Sequence, residues 1–329
     1  MTLLRLEEFT DTRSIDKLVE VYEVLCEERL SVKDTGVNYR VINHWDEMGI
    51  IRFIRNVEGG NRKFNFVDFI WIKVVNELRS FGVKLPDIQK IASEIYKPLP
   101  VMELFDTLAN NLELFNGLEG ESKDDLMDFL KKGEYKNTDF DALNINLNFN
   151  HLHILIAEAI STRNSVSIIV FNDGEWFPFI KQNEHLYSKE LLYKKEYSSQ
   201  VRINITELIF KYIMEDYLIE YANGLHLFTQ QESKLLNHIK VGDYKKVIVK
   251  FKSKKHEPIE IIKSKKAQEE IIHIFREKKY REFILTDKKG IELITKNEES
   301  KKIESETPFL DFILNESKGE SYLQKLSDL

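Results

Sequence analysis

The chain has 329 residues, 42% of them hydrophobic and 31% charged, with a formal net charge of -7, which is length and apolar content enough for two or three domains with real cores. No apolar run approaches the roughly 20 residues of a membrane span, the opening MTLLRLEEFTDTRS carries acids where a secretory signal is basic, and the single cysteine, Cys26, excludes an internal disulfide or a cysteine-built metal site. A cytoplasmic protein is expected, and low Pro and Gly with heavy Lys, Glu, Asn and Ile usage fits a bacterial genome. Residues 1–29 are acidic, and Ile15, Leu18, Val19, Tyr22 and Leu25 fall at helical spacing, predicting an amphipathic extension helix over Ser14–Glu28.

The stretch from 30 to 97 carries the strongest local signals. Asp34-Thr35-Gly36 ends a helical turn with a residue that tolerates positive φ, and Asn38 can cap the next helix. In that second helix Val41, Ile42, Trp45 and Met48 recur at three- and four-residue steps and are expected on one buried face, leaving Tyr39, Arg40, Asn43 and Asp46 outside. Gly49 stops the helix. Ile50 to Arg55 has strand character and Glu58-Gly59-Gly60-Asn61 reads as a turn, so a hairpin flanked by Arg52, Arg55, Arg62 and Lys63 is expected. Such a cationic tip suits phosphates. Asn65 then caps a third helix carrying Phe66, Phe69, Ile70, Val74 and Leu78, closed by Gly82, and Pro86 fits the first turn of a fourth with Ile88 and Ile91. Between Leu30 and Ile91 ten Lys and Arg face seven Asp and Glu, a net of +3 inside an acidic protein, which indicates a local basic footprint.

This run resembles the DNA-binding domain of the MerR family, a winged helix-turn-helix. The matching pieces are Thr35-Gly36-Val37, His44-Trp45, Gly49-Ile50-Ile51, Gly60-Asn61-Arg62-Lys63-Phe64, Leu78-Arg79 with Gly82, and Leu85 with Ile88. The resemblance implies that Tyr39, Arg40, Asn43 and His44 face the major groove of double-stranded DNA while Arg62 on the wing meets a phosphate. It departs from the family at Asn43, where arginine is common: asparagine can pair with adenine but cannot grip guanine as arginine does. Phe64 replaces the usual wing tyrosine and so cannot make that residue's phosphate contact. Trp45 and Phe64 are expected in the core rather than stacked on bases.

Beyond residue 97 the composition changes. Met102, Phe105, Ala109 and Leu112 could form a short coiled-coil seam, in the position where the resemblance implies a dimerising helix; a partner helix at Ser122–Lys132 within the chain explains the spacing as well. Residues 98–148 are thus an acidic helical connector ending in a polar linker. A mixed α+β domain is expected over 149–303. Asn150 caps a helix to Thr162, Val166–Phe171 and Trp176–Ile180 form a hairpin about Asn172-Asp173-Gly174, and Ile203–Glu220 is a strand end followed by a long helix. Within this domain 235–266 and 271–302 line up as a repeated helix-hairpin unit, with Tyr244 on Tyr280 and Val247 on Phe283, predicting a four-stranded antiparallel sheet. Nineteen Lys and Arg against eleven acids lie between Lys234 and Lys301. They could track phosphates, or keep hairpin tips and edge strands soluble. Residues 304–329 form a tail.

No phosphate-cradling loop, dinucleotide fingerprint, metal-binding H-E-x-x-H pair or nucleophile elbow occurs. His151 and His153 lack a third ligand in sequence. The fold class expected is therefore α+β, a winged helix-turn-helix (helical, with a small β wing) followed by a mixed domain. The function expected is a non-enzymatic, cofactor-free DNA-binding transcription regulator, acting as a homodimer and in concert with RNA polymerase. The rivals are an architectural or mobile-element DNA-binding protein and a protein-interaction module on the same fold. The DNA-binding residues expected are Tyr39, Arg40, Asn43, His44, Arg52, Arg55, Arg62 and Lys63.

Overall fold

The computed structural model describes residues 21–52, 62–98, 150–213, 215–252, 257–263 and 280–296, with shorter pieces of the intervening segments. Contacts divide the chain into two units, one of 1–206 with 304–329 and one of 207–303. The stretch expected as one domain over 149–303 is thereby cut after Thr206, because residues 150–206 build their contacts with the N-terminal helices. Of the coiled-coil seam only Ala109, which is helical, and of the linker only Lys136 are described; the rest of both, the hairpin tip at 53–61 and the tail lie outside the described residues.

In the first unit, residues 21–26 are helical, with Val21 and Leu25 fully buried. Strand β1 (Leu30–Ser31) pairs antiparallel with β2 (Lys63–Phe64), Leu30 opposite Phe64. A 3-10 turn over Val32–Thr35 follows β1. Its entry is fastened by Asp34, whose Oδ2 accepts from Ser31 N and Oγ, both at 2.7 Å. Its exit needs Gly36, at φ 64°, where a Cβ would strain the backbone. Helix α1 (Tyr39–Glu47) begins at Asn38, whose Oδ1 accepts from Arg40 N at 2.9 Å. Its buried stripe is narrower than the spacing predicts: Ile42 and Trp45 are buried, but Val41 is 38% exposed and Met48 half-buried. Ile42 and Trp45 stand three residues apart and already fill the contact, which leaves Val41 one position off the stripe.

Helix α2 (Phe66–Ser80) is buried almost all round, with Phe66, Val67, residues 69–75 and Leu78 inside, the pattern of a helix at the centre of its unit. It holds the helix-turn-helix by two polar bonds. Lys73 Nζ donates to Thr35 O at 2.6 Å, and Trp71 Nε1 donates to Ile50 O at 2.7 Å. Helix α3 (Leu85–Ile95) starts with Pro86 in its first turn and sends Gln89 Nε2 to Met48 O at 2.7 Å. The turn before α1 and the C-terminal end of α1 are thus tied to the helices behind them.

The rest of this unit is helix α4 (His151–Thr162), then strands β3 (Val166–Phe171) and β4 (Trp176–Ile180), helix α5 (Lys189–Tyr197) and strand β5 (Gln200–Asn204), in a sheet of order β4-β3-β5. Every residue of β3 and β4 is buried. Three contacts fuse this layer to α3 and the residues just past it: Trp176 Nε1 donates to Glu94 Oε2 at 2.7 Å, Pro98 bridges to Asn150, and Gly174 packs so tightly on Asp87 that a Cβ would come within 2.8 Å of its carboxylate. Between β4 and β5 a 3-10 turn over Lys181–Leu186 leads into α5.

Helix α6 (Ile205–Tyr212) leads into the second unit, which continues with α7 (Ile219–Gly224), α8 (Gln230–Lys240) and strands β6 (Lys246–Phe251), β7 (Ile259–Ile262), β8 (Tyr280–Thr286) and β9 (Glu292–Lys296). The long helix expected up to Glu220 instead ends at Tyr212. The strands form one antiparallel sheet of order β7-β6-β8-β9. Against it lies an aromatic core in which Phe275 stacks on Phe283 at 4.3 Å between ring centres. Glu232 is 1% exposed but fully engaged: Oε2 accepts from Thr229 N at 2.8 Å in a capping box, and Oε1 accepts from the Tyr280 hydroxyl.

Candidate nucleic-acid interface

Helix α1 offers a polar surface on the side opposite Ile42 and Trp45. Tyr39 is 56% exposed, and Arg40 and His44 are exposed with it. Arg40 sits in the first turn, where the Asn38 cap fixes the backbone beneath it.

Arg62 comes to this surface from the strand side. Its Nη1 donates to Asn43 Oδ1, its Nη2 lies 3.2 Å from Asp46 Oδ2, and its guanidinium stands 5.5 Å from the centre of the Tyr39 ring. Tyr39, Asn43 and Arg62, nominated separately from the sequence, therefore form one cluster. The Arg62 side chain is only 11% exposed, so it is a partly sheltered strut rather than an open cation. Because arginine can only donate, the contact turns the Asn43 amide so that its oxygen faces Arg62, leaving its NH2 to donate elsewhere. The second oxygen lone pair remains for another donor.

Asp46 is the member that sequence reasoning left out. Its signal was present: it lies one turn beyond Asn43 on the face expected to be polar, opposite a hairpin rich in cations, where a carboxylate is the natural anchor for a guanidinium.

The remaining nominees do not join the cluster. Arg52 is exposed and stands over the Tyr96 ring at 5.3 Å, at the C-terminal end of α3. Lys63 is exposed on β2, and Arg55 lies outside the described residues. Phe64 is fully buried opposite Leu30, and Trp45 is 3% exposed, so both are core residues.

In the second unit three of the described lysines at the sheet have partners in their own chain. Lys246 meets Glu260 at 3.0 Å, Lys250 meets Glu282 at 2.7 Å, and Lys263 Nζ donates to Gly242 O at 2.6 Å. The two carboxylate pairs offset part of the charge that a phosphate track would need.

Both ring nitrogens of His153 are satisfied internally. Its Nδ1 lies 2.8 Å from Asn150 Oδ1 and its Nε2 3.6 Å from Cys26 Sγ, so the tautomer that fits donates from Nδ1 and accepts the thiol proton at Nε2. Burial drives His151 and His153 down to about 4 and raises the Cys26 thiol. Among the described residues no three His, Cys, Asp or Glu side chains gather as a metal site, and no helix is long and apolar enough to cross a membrane.

A short turn closed by glycine, a capped helix with a polar outer face and a helix locking both from behind define a helix-turn-helix domain. Residues 32–95 match the family described as MerR HTH family regulatory protein, so this segment is a MerR-family helix-turn-helix, and such a domain suggests a DNA-binding transcription regulator. Comparison with curated proteins and with solved structures gave no match.

Proposed function

We propose that the protein is a transcription regulator of MerR-like type that binds duplex DNA as a homodimer, with α1 in the major groove and a wing formed around residues 52–63 on the backbone. The observation that carries this reading is the Tyr39–Asn43–Asp46–Arg62 cluster, within the segment that matches the family. Arg62 joins the strand preceding α2 to the outer face of α1 and holds Asn43 with its NH2 outward, toward base-edge acceptors such as purine N7. Arg40 and His44 contact phosphate and base edges beside it. Asn43 can still complete a bidentate adenine contact through its second oxygen lone pair, so adenine is the base expected opposite it.

Lys246, Lys250 and Lys263 do not enter this reading, since their partners are already in place. The repeated unit at 235–266 and 271–302 is proposed as the basis of that sheet. Its support is that equivalent positions are buried in pairs, Leu235 with Ile271, Ile239 with Phe275, Tyr244 with Tyr280 and Val247 with Phe283. RNA polymerase is the partner implied for a regulator at a promoter, and neither enzymatic chemistry nor a cofactor is part of the proposal.

Selection of bound duplexes from a random pool by the full chain tests it. An inverted repeat with adenine at a fixed place in each half-site is the expected product. A pool that shows no enriched sequence after repeated rounds would overturn the reading, and an enriched site lacking two-fold symmetry would overturn its dimeric part.

A further inference from the structure

The outer edge of the second unit's sheet is strand β9, Glu292-Leu293-Ile294-Thr295-Lys296, which among the described residues pairs with β8 on one side only. The hairpin fixes which backbone groups face outward. Asp287 N donates to Ile291 O at 2.9 Å, and hydrogen-bonded positions alternate along an antiparallel pair. Ile291, Leu293 and Thr295 therefore direct their N–H and C=O groups to β8. Glu292, Ile294 and Lys296 direct theirs to the free edge. Ile294 is 46% exposed and its neighbour Ile291 62%, and Glu292 and Lys296 are exposed.

Exposed edges are templates for pairing unless something blocks them. Here the edge complements itself. Laid antiparallel against a copy and centred on Ile294, it sets Glu292 opposite Lys296 of the copy, Lys296 opposite Glu292, and Ile294 opposite Ile294. In that register each outward-facing residue both donates and accepts one backbone hydrogen bond with the copy. The faces also remain continuous, because facing residues share parity. Ile248, Ile284 and Ile294 lie side by side across β6, β8 and β9, so a row of three isoleucines in one copy runs on into three in the other. The opposite edge, β7, has no such register. Centring it on Glu260 opposes two like charges, and centring it on Ile261 sets Ile259 against Lys263.

We infer that β9 is a homotypic docking edge, joining two copies of this chain into one sheet across a two-fold axis through Ile294. This names a surface for the dimer of the proposed function but rests on the strand alone, and its test needs no DNA.

Sedimentation of the full chain across a range of concentrations should show a dimer. Glu292→Lys and Lys296→Glu each place like charges opposite one another at two positions. Each variant alone should therefore weaken association by roughly tenfold or more, given up to about 1 kcal/mol per cross-strand pair. An equimolar mixture of the two should recover the wild-type constant, since a strand with lysine at both of its charged positions then faces a strand with glutamate at both, which restores both attractions. Recovery on mixing separates the edge from any local folding defect, which mixing could not repair. A monomeric wild type, single variants that associate as tightly as wild type, or a mixture no tighter than its parts would each overturn the inference. Sequence-selective DNA binding that persists in any of these cases would leave the regulator reading standing.

Discussion

Replacing Trp71 by alanine is expected to destabilise the first unit by about 3–5 kcal/mol, the range for emptying a large aromatic site in a close-packed core. Trp71 is fully buried in α2, meets Tyr96 edge-on at 6.0 Å, and gives its indole N–H to Ile50 O at 2.7 Å. That carbonyl lies just past the end of α1, where Ile50 N in turn donates to Trp45 O at 2.9 Å. The damage should therefore fall on the part of the domain that aims Tyr39, Arg40 and His44. Trp71→Phe separates the two contributions. It keeps most of the volume but strands the Ile50 carbonyl, a cost of about 1–3 kcal/mol. Urea unfolding followed by fluorescence and circular dichroism measures both. An alanine variant within about 1 kcal/mol of wild type would show that this core closes over the gap, contrary to the packing described.

Asp68 should make the same unit less stable as pH rises. Burial pushes its carboxyl up to about 7, and the nearby Glu28 adds to the shift, against hydrogen bonds from the Tyr96 hydroxyl, at 3.2 Å, and from Asn65 that lower it. A carboxyl raised above its unfolded value of about 4 favours the protonated folded state. Its stabilising effect is complete below pH about 4 and disappears as pH climbs through about 7. Asp68→Asn keeps an oxygen for Tyr96 without the charge, so it should gain on the order of a few kcal/mol over wild type at pH 8 and little at pH 4. His151 and His153 act in the other direction. Their folded values near 4 give stability that is present above about 6.5 and fades as pH falls toward 4. Urea midpoints against pH for wild type and Asp68→Asn should diverge between pH 4 and 7. Parallel curves would contradict a carboxyl held neutral beside Tyr96.

The helix-turn-helix was legible because its boundaries are set by residues acting on their near neighbours. Gly36 supplies positive φ, Asn38 and Asn65 cap, and Pro86 opens a first turn. The hairpin about Asn172-Asp173-Gly174 and the cap at Asn150 were readable for the same reason. What the sequence hid was long-range. The Glu94–Trp176 bond spans 82 positions and helps place residues 150–206 with the N-terminal helices, a choice no local pattern encodes. Arg62 was singled out as a phosphate contact, but its fate depended on Asn43 and Asp46, reached only by folding. Val41 shows the limit of periodicity: a three- and four-residue spacing marks a face without stating how wide the contact beneath it is.

Docking of the outer face of α1 against a double helix is tested most directly by the salt dependence of binding to the selected duplex, compared between wild type and Arg40→Ala. Affinity should fall steeply with salt for wild type, and the variant's log–log slope should be shallower by about one, because one phosphate is then no longer neutralised by the protein. Identical slopes and affinities for the two proteins would contradict the docking of α1 on DNA.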